Sequence, residues 1–137
     1  MINFISKLFK GKKEKFQHEI KFIDGMISQA KRFGYQFGVL GVELSHSIPR
    51  GLSKILPGKT ISFSVIGKNL RLYDRIVDYS YRRYYVILPQ TDEDGVKAVS
   101  VRIRKLAQKH SWGEVTINAA IYPKDGDTPQ ALLSKLF

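Results

Sequence analysis

The sequence predicts an α+β fold, with one central, mainly antiparallel sheet and helices gathered on one of its faces. Three observations predict it. DRIVDYS and YYVILP are two short β-branched and aromatic runs close enough to pair as a hairpin, and Pro89 ends the second. TDEDGVKAVSVRIRKLAQKH carries apolar residues at helical spacing after an acidic start. EVTINAAIY then alternates like a strand, and the mixture of both element types along one chain argues for a sheet packed by helices.

The elements follow in order. Phe16, Ile20, Ile23, Ile27 and Ala30 recur at steps of four and three, which predicts a helix from about Lys15 to Phe33, stopped by Gly34. YQFGVLGVEL (35–44) is short and apolar and reads as a buried strand. SHSIPRGLSKILPGK (45–59) holds two prolines and two glycines and reads as a loop with a helical turn. KTISFSVIGKNL (59–70) is ambiguous: Ile61, Phe63 and Val65 alternate, whereas Ile66 and Leu70 continue a helical face. The local pattern slightly favours a strand. In the helix after the hairpin, Thr91 is expected to cap and Asp94 to complete a T-x-x-D box; Val96, Val99, Ile103 and Leu106 form the apolar stripe. Val115, Ile117, Ala119 and Ile121 share one face of the last strand. Thr128 and Pro129, cap then first-turn proline, open a short final helix.

With 137 residues and 43% hydrophobic content, the chain suits one domain with one core. Lys and Arg number 23 against 12 Asp and Glu, a net charge of +11 that attracts anions: nucleic acid, nucleotides, acidic lipid or an acidic partner. Absence of cysteine excludes disulfides and thiolate chemistry and suits a cytoplasmic setting. His18, His46 and His110 lack the short spacings of metal ligands, so no metal is expected. Residues 1–13 form a basic lead-in. Phe4, Ile5, Leu8 and Phe9 share a helical face beside Lys7, Lys10, Lys12, Lys13 and Lys15, a pattern suited to weak contact of residues 1–15 with anionic lipid or to a frayed, solvated end. Its longest apolar runs are two residues, too short for a signal peptide or a spanning helix.

The hairpin itself is unusual. At its turn stand Tyr81, Arg82, Arg83, Tyr84 and Tyr85, where tight turns favour Gly, Asn or Asp. RLYD, RIV, DYSYRRY and YVILP follow one another without gaps; PQTD, RIR, VTI and GDTPQALL come after them. In that order and spacing the chain, over about residues 14–136, resembles the GGDEF domains of bacterial diguanylate cyclases. The resemblance implies a nucleotide-cyclase-like fold over residues 14–137 and a helix, not a strand, at 59–69.

It also implies where chemistry is lost and where binding is kept. The G-G-[DE]-E-F signature falls on Ser80, Tyr81, Arg82, Arg83 and Tyr84. Arg82 therefore stands where the family has a metal-binding acid, and Ser80 and Tyr81 replace the glycines that let phosphate approach the backbone. The family's other metal carboxylate corresponds to Glu43, and its guanine-binding region is shortened and unrecognisable in SHSIPRGLSKIL. Two-metal chemistry needs anionic oxygen ligands, so no catalytic residues and no cyclase activity are expected. R-x-x-D, the family's inhibitory product site for cyclic di-GMP, is complete in Arg71-Leu72-Tyr73-Asp74. Arg71 would offer a donor fork to guanine or phosphate, Asp74 would accept from guanine N–H groups, and Arg102 matches a further arginine of that site. The implied role is a receptor for cyclic di-GMP, without other cofactor, that signals to a protein partner or to a second copy bridged by ligand. Two alternatives stand beside it. One is a ligand-independent adaptor; the other is a basic nucleic-acid binder, disfavoured because the tyrosines cluster at one hairpin and not across a sheet face.

Overall fold

A computed structural model describes residues 2–45, 61–80 and 82–137, leaving aside the side chains of 2–16 and 61. The elements are α1 (Ile2–Phe33), β1 (Phe37–Leu44), α2 (Ile61–Lys68), β2 (Arg75–Ser80), β3 (Arg83–Leu88), α3 (Glu93–Lys109), β4 (Val115–Tyr122) and α4 (Pro129–Leu133). The four strands form one antiparallel sheet in the order β2-β3-β1-β4. The expected fold class is the observed one.

Helices cover both faces of the sheet, not one as expected. One face packs Ile23, Met26, Ile27 and Ala30 of α1 with Leu132 and Leu133 of α4 over Val39, Val77, Tyr85, Ile87 and Tyr122. The other packs Ile66 of α2 and Val96, Val99, Ile103 and Ala107 of α3 over Leu40, Val42, Tyr84, Val86 and Leu88. The reason lies in the two central strands. β1 and β3 are near-continuous apolar runs, buried on both sides, whereas a strand wetted on one face would alternate. Tyr84 and Tyr85 accordingly lie on opposite faces. Close packing reaches the backbone at Gly38, where an added Cβ would sit 2.3 Å from a methyl of Val96.

Four local expectations need correction. Segment 61–68 is helical, as the resemblance implied and against its local alternation, because helical spacing buries Ser62 and Ile66 together against the sheet. Ser62 Oγ lies 2.8 Å from the Tyr84 hydroxyl, a contact made by residues 22 apart and invisible to local pattern. α1 starts at Ile2, well before Lys15; Gly11 alone does not stop a helix that meets no proline or cap. It stops as expected at Gly34, whose φ of 71° turns the chain so that the Tyr35 N–H also reaches the Ala30 carbonyl, at 3.3 Å. The cap of α3 is Asp92, which accepts from Gly95 N–H, and Thr91 is turned elsewhere. In β4, Ile121 is buried, but Ala119, expected on the same apolar face, is exposed. Thr128 caps α4 as expected, accepting from Ala131 N–H. Among the described residues no helix is long and apolar enough to cross a membrane.

Candidate functional site

The R-x-x-D segment is a tight turn between α2 and β2, closed by the Asp74 N–H donating to the Arg71 carbonyl at 3.0 Å. The Asp74 side chain is only 1% exposed, and both its oxygens face Arg71. Oδ2 accepts from the Arg71 main-chain N–H at 2.9 Å and from Nε at 3.2 Å; Oδ1 accepts from Nη2 at 3.0 Å. Nη2 also donates to the Pro89 carbonyl at 3.3 Å and to Thr91 Oγ1, whose hydroxyl donates in turn to Pro89. This explains the displaced cap: Thr91 is drawn inward as an acceptor for Arg71. Arg71 remains 53% exposed, and among the described residues Nη1 has no acceptor. The expected donor fork is therefore half engaged, through Nε and Nη2. Asp74, expected to meet guanine, serves here to orient Arg71.

Arg102 reaches the same turn from the other side. Its Nη1 donates to the carbonyl of Asn69, two residues before Arg71, at 3.0 Å. Gly95, Ala98 and Arg102 recur at helical spacing along one flank of α3. Arg71 is tied to the start of that flank through Thr91, and Arg102 lies about 10 Å further along the helix from Gly95. Two arginines thus bracket a stretch of small residues. At the Arg71 end lies a concavity of about 340 Å³, lined by Tyr35, Gln36, Arg71, Gln90, Thr91, Asp92 and Gly95. Arg102 is outside it. No local pattern marks Tyr35, Gln36 or Gln90; Thr91, Gly95 and Ala98 could have been found by projecting the helix from Arg102.

The signature hairpin is organised differently. Glu43 and Arg83 are directly opposed across β1 and β3, and their side chains form an ion pair in which each is 44% exposed. The Arg83 guanidinium also lies 5.3 Å from the centroid of the Phe137 ring. Arg82 adopts a left-handed backbone conformation, φ 65°, at the turn. Its carbonyl accepts from Leu44 N–H at 2.9 Å and its Nη1 donates to the Ser45 carbonyl, so contacts with β1 hold a conformation that would otherwise be strained. Ser80 pairs with Arg83 across a bulge in β2, and Tyr84 is buried against Ser62 and Phe63. On the opposite face, burial and the neighbouring Tyr79 push the Tyr85 hydroxyl above its ordinary range, so it stays protonated near neutrality. Tyr81 and the shortened guanine-binding region at 46–60 lie outside the described residues. Among those described, no three His, Asp or Glu residues come together to hold a metal ion.

Solved structures share this architecture. A DGC protein from Thermotoga maritima superposes with a TM-score of 0.68 at 15% identity, covering 88% of this chain and 89% of its own. For the GGDEF domain of YfiN from Pseudomonas aeruginosa the score is 0.66 at 20% identity, with 83% and 81% covered. The fold is that of GGDEF domains. The GGDEF domain of DgcB from Caulobacter crescentus, solved in complex with cyclic di-GMP, scores 0.59 at 15% identity, covering 87% of this chain and 76% of its own. No family model matches the chain, and no curated protein does. Within the GGDEF fold, Arg71, Asp74 and Arg102 converge on one turn, and Ser80, Arg82, Arg83 and Tyr84 stand at the β2–β3 hairpin end beside Glu43.

Proposed function

We propose that this domain is a catalytically silent GGDEF-fold receptor for cyclic di-GMP, bound through Arg71 and Arg102 with Asp74 as the orienting carboxylate. The observation that carries the reading is the buried Asp74 carboxylate, which holds a half-exposed Arg71 in place. A guanidinium fixed in this way loses little freedom when it donates to guanine or phosphate. Arg102, anchored on Asn69, supplies a second cation along the same flank of α3. The presence of cyclic di-GMP in one structure of this fold supports the choice of ligand.

Loss of catalysis is supported by the hairpin. Arg82 stands at the metal-ligand position, and the remaining acid, Glu43, is neutralised by Arg83. An acidic oxygen cluster for Mg²⁺ cannot form from these side chains. The domain acts in the cytoplasm, passes ligand occupancy to a protein partner or a ligand-bridged second copy, and touches anionic lipid weakly through residues 1–15.

Calorimetry with cyclic di-GMP, GTP and a short RNA tests the reading. Cyclic di-GMP is expected to bind, and Arg71→Ala to lower affinity about thirtyfold, roughly 2 kcal/mol. Arg102→Ala weakens it less; Arg82→Ala leaves it unchanged once salt screens the charge. No product is expected from GTP with Mg²⁺ or Mn²⁺. Failure of cyclic di-GMP to bind, or abolition by Arg82→Ala but not by Arg71→Ala, sinks the assignment. Sequence-selective RNA binding that survives about 0.3 M salt would establish the nucleic-acid alternative instead.

A further inference from the structure

The edge of the sheet opposite the hairpin carries an ordered pattern of its own. Among the described residues β4 is bonded to β1 alone. Just before it, the Glu114 carbonyl turns inward to accept from Ser45 N–H at 2.9 Å. At the far end, both main-chain groups of Ile121 lie on Asp125, outside the ladder: the N–H donates to its carboxylate at 2.9 Å and the carbonyl accepts its N–H at 2.7 Å. These two ends agree on the alternation, which sends the main-chain groups of Val115, Ile117, Ala119 and Ile121 to the open edge. Ile121 is closed off by Asp125, and the Val115 carbonyl accepts from Arg104 Nη1 at 3.2 Å. Among the described residues, the outward N–H and C=O groups of Ile117 and Ala119 have no partner.

This window is symmetric. Its centre is Asn118, and each clamp acts three residues away, a cation at Val115 and an anion at Ile121. We propose that two copies of the chain pair through it, β4 against β4, antiparallel about a two-fold axis at Asn118. Ile117 then lies opposite Ala119 of the partner subunit, and the two such pairs exchange four N–H···O bonds. Beyond the window the two strands part, because the Asp125 segment already fills the edge at Ile121, and Arg104 of each copy approaches Asp125 of the other, now 3.6 Å from Lys135. An isologous contact requires a patch complementary to its own image, and a positive end matched by a negative end meets that requirement. An exposed Ala119 leaves the pairing face free of bulk. The pairing involves neither Arg71 nor the hairpin and needs no cyclic di-GMP.

Sedimentation equilibrium and amide hydrogen exchange on the full chain test it. Apparent mass should climb toward twice the monomer value as concentration rises to about 1 mM, because four hydrogen bonds over a short window support only weak association. Added salt should favour the dimer, since each copy carries +11. Ile117 and Ala119 amides should gain protection with concentration, while Thr116 and Asn118, bonded to β1, stay protected throughout. Ala119→Pro removes one outward donor per copy; Ala119→Arg, at an exposed position that the fold tolerates, adds two like charges to the contact. Both should abolish the mass increase. The proposal is overturned by a monomer at every concentration, by a dimer that leaves the Ile117 and Ala119 amides unprotected, or by one that survives both variants.

Discussion

Two of the domain's three described arginine–carboxylate pairs differ in one respect. Arg71–Asp74 and Arg83–Glu43 have similarly exposed cations, 53% and 44%, but their anions are 1% and 44% exposed. Asp74 is surrounded by donors that all belong to Arg71, and the turn exists around it. Glu43 meets Arg83 across two strands whose pairing does not depend on the contact. Of these two pairs, burial of the anion singles out Arg71 as the arginine held in place. A half-exposed ion pair contributes at most about 1 kcal/mol, whereas removing a buried, multiply bonded carboxylate leaves its donors unsatisfied.

The strongest way to break this comparison is Asp74→Ala. It strips the acceptor from the Arg71 main-chain N–H and from two guanidinium nitrogens. Stability should fall by about 2–3 kcal/mol, toward the lower end because Arg71 can reach water. Urea unfolding with an unchanged slope would measure it. Asp74→Asn keeps one acceptor oxygen and should lose visibly less. A loss below about 0.5 kcal/mol for the alanine variant would mean that burial confers no advantage on this pair.

Thr91 shows where sequence reasoning reached its limit. T-x-x-D is a sound capping pattern, but the side chain that caps is Asp92, because Thr91 answers a demand from Arg71, 20 residues earlier. Local pattern alone missed the helix at 61–68 in the same way, although the resemblance implied it, since its buried Ser62 is satisfied by Tyr84. Hairpin, strand order within it and the two outer helix faces were legible because each rests on local periodicity. Burial of both sheet faces was legible too, in the unbroken apolar runs of β1 and β3, but only to a reading that weighed continuity as well as alternation. Of the candidate site, the arginines could be named from spacing; their acceptors could not, because Pro89, Thr91 and Asn69 join them only through the fold.

Thr91→Val tests that link at intermediate size. The substitution preserves shape, removes one acceptor of Arg71 and deprives the Pro89 carbonyl of a donor. A loss of about 1 kcal/mol in stability is expected, with a cyclic di-GMP affinity lowered a few-fold because Arg71 is held by one contact fewer. An affinity that rises would show that Thr91 competes with the ligand for Nη2, and Arg71 would then be restrained in its resting pose.

The smallest effect should come from the hairpin pair, and it gives the comparison its sharpest form. A double-mutant cycle over Glu43→Ala and Arg83→Ala removes each charge separately and then together. With both side chains near half exposure, the coupling should stay under about 1 kcal/mol and shrink as salt is added. Arg83→Ala also forfeits its contact with the Phe137 ring, which adds to the single-variant loss but cancels from the coupling term. Cyclic di-GMP affinity should change less than twofold in all three variants at moderate salt, because neither residue touches the turn at 71–74. A coupling as large as the Asp74→Ala loss would overturn the distinction between the two arginines, since it would make the Glu43–Arg83 pair as firmly held as the one at the proposed ligand site.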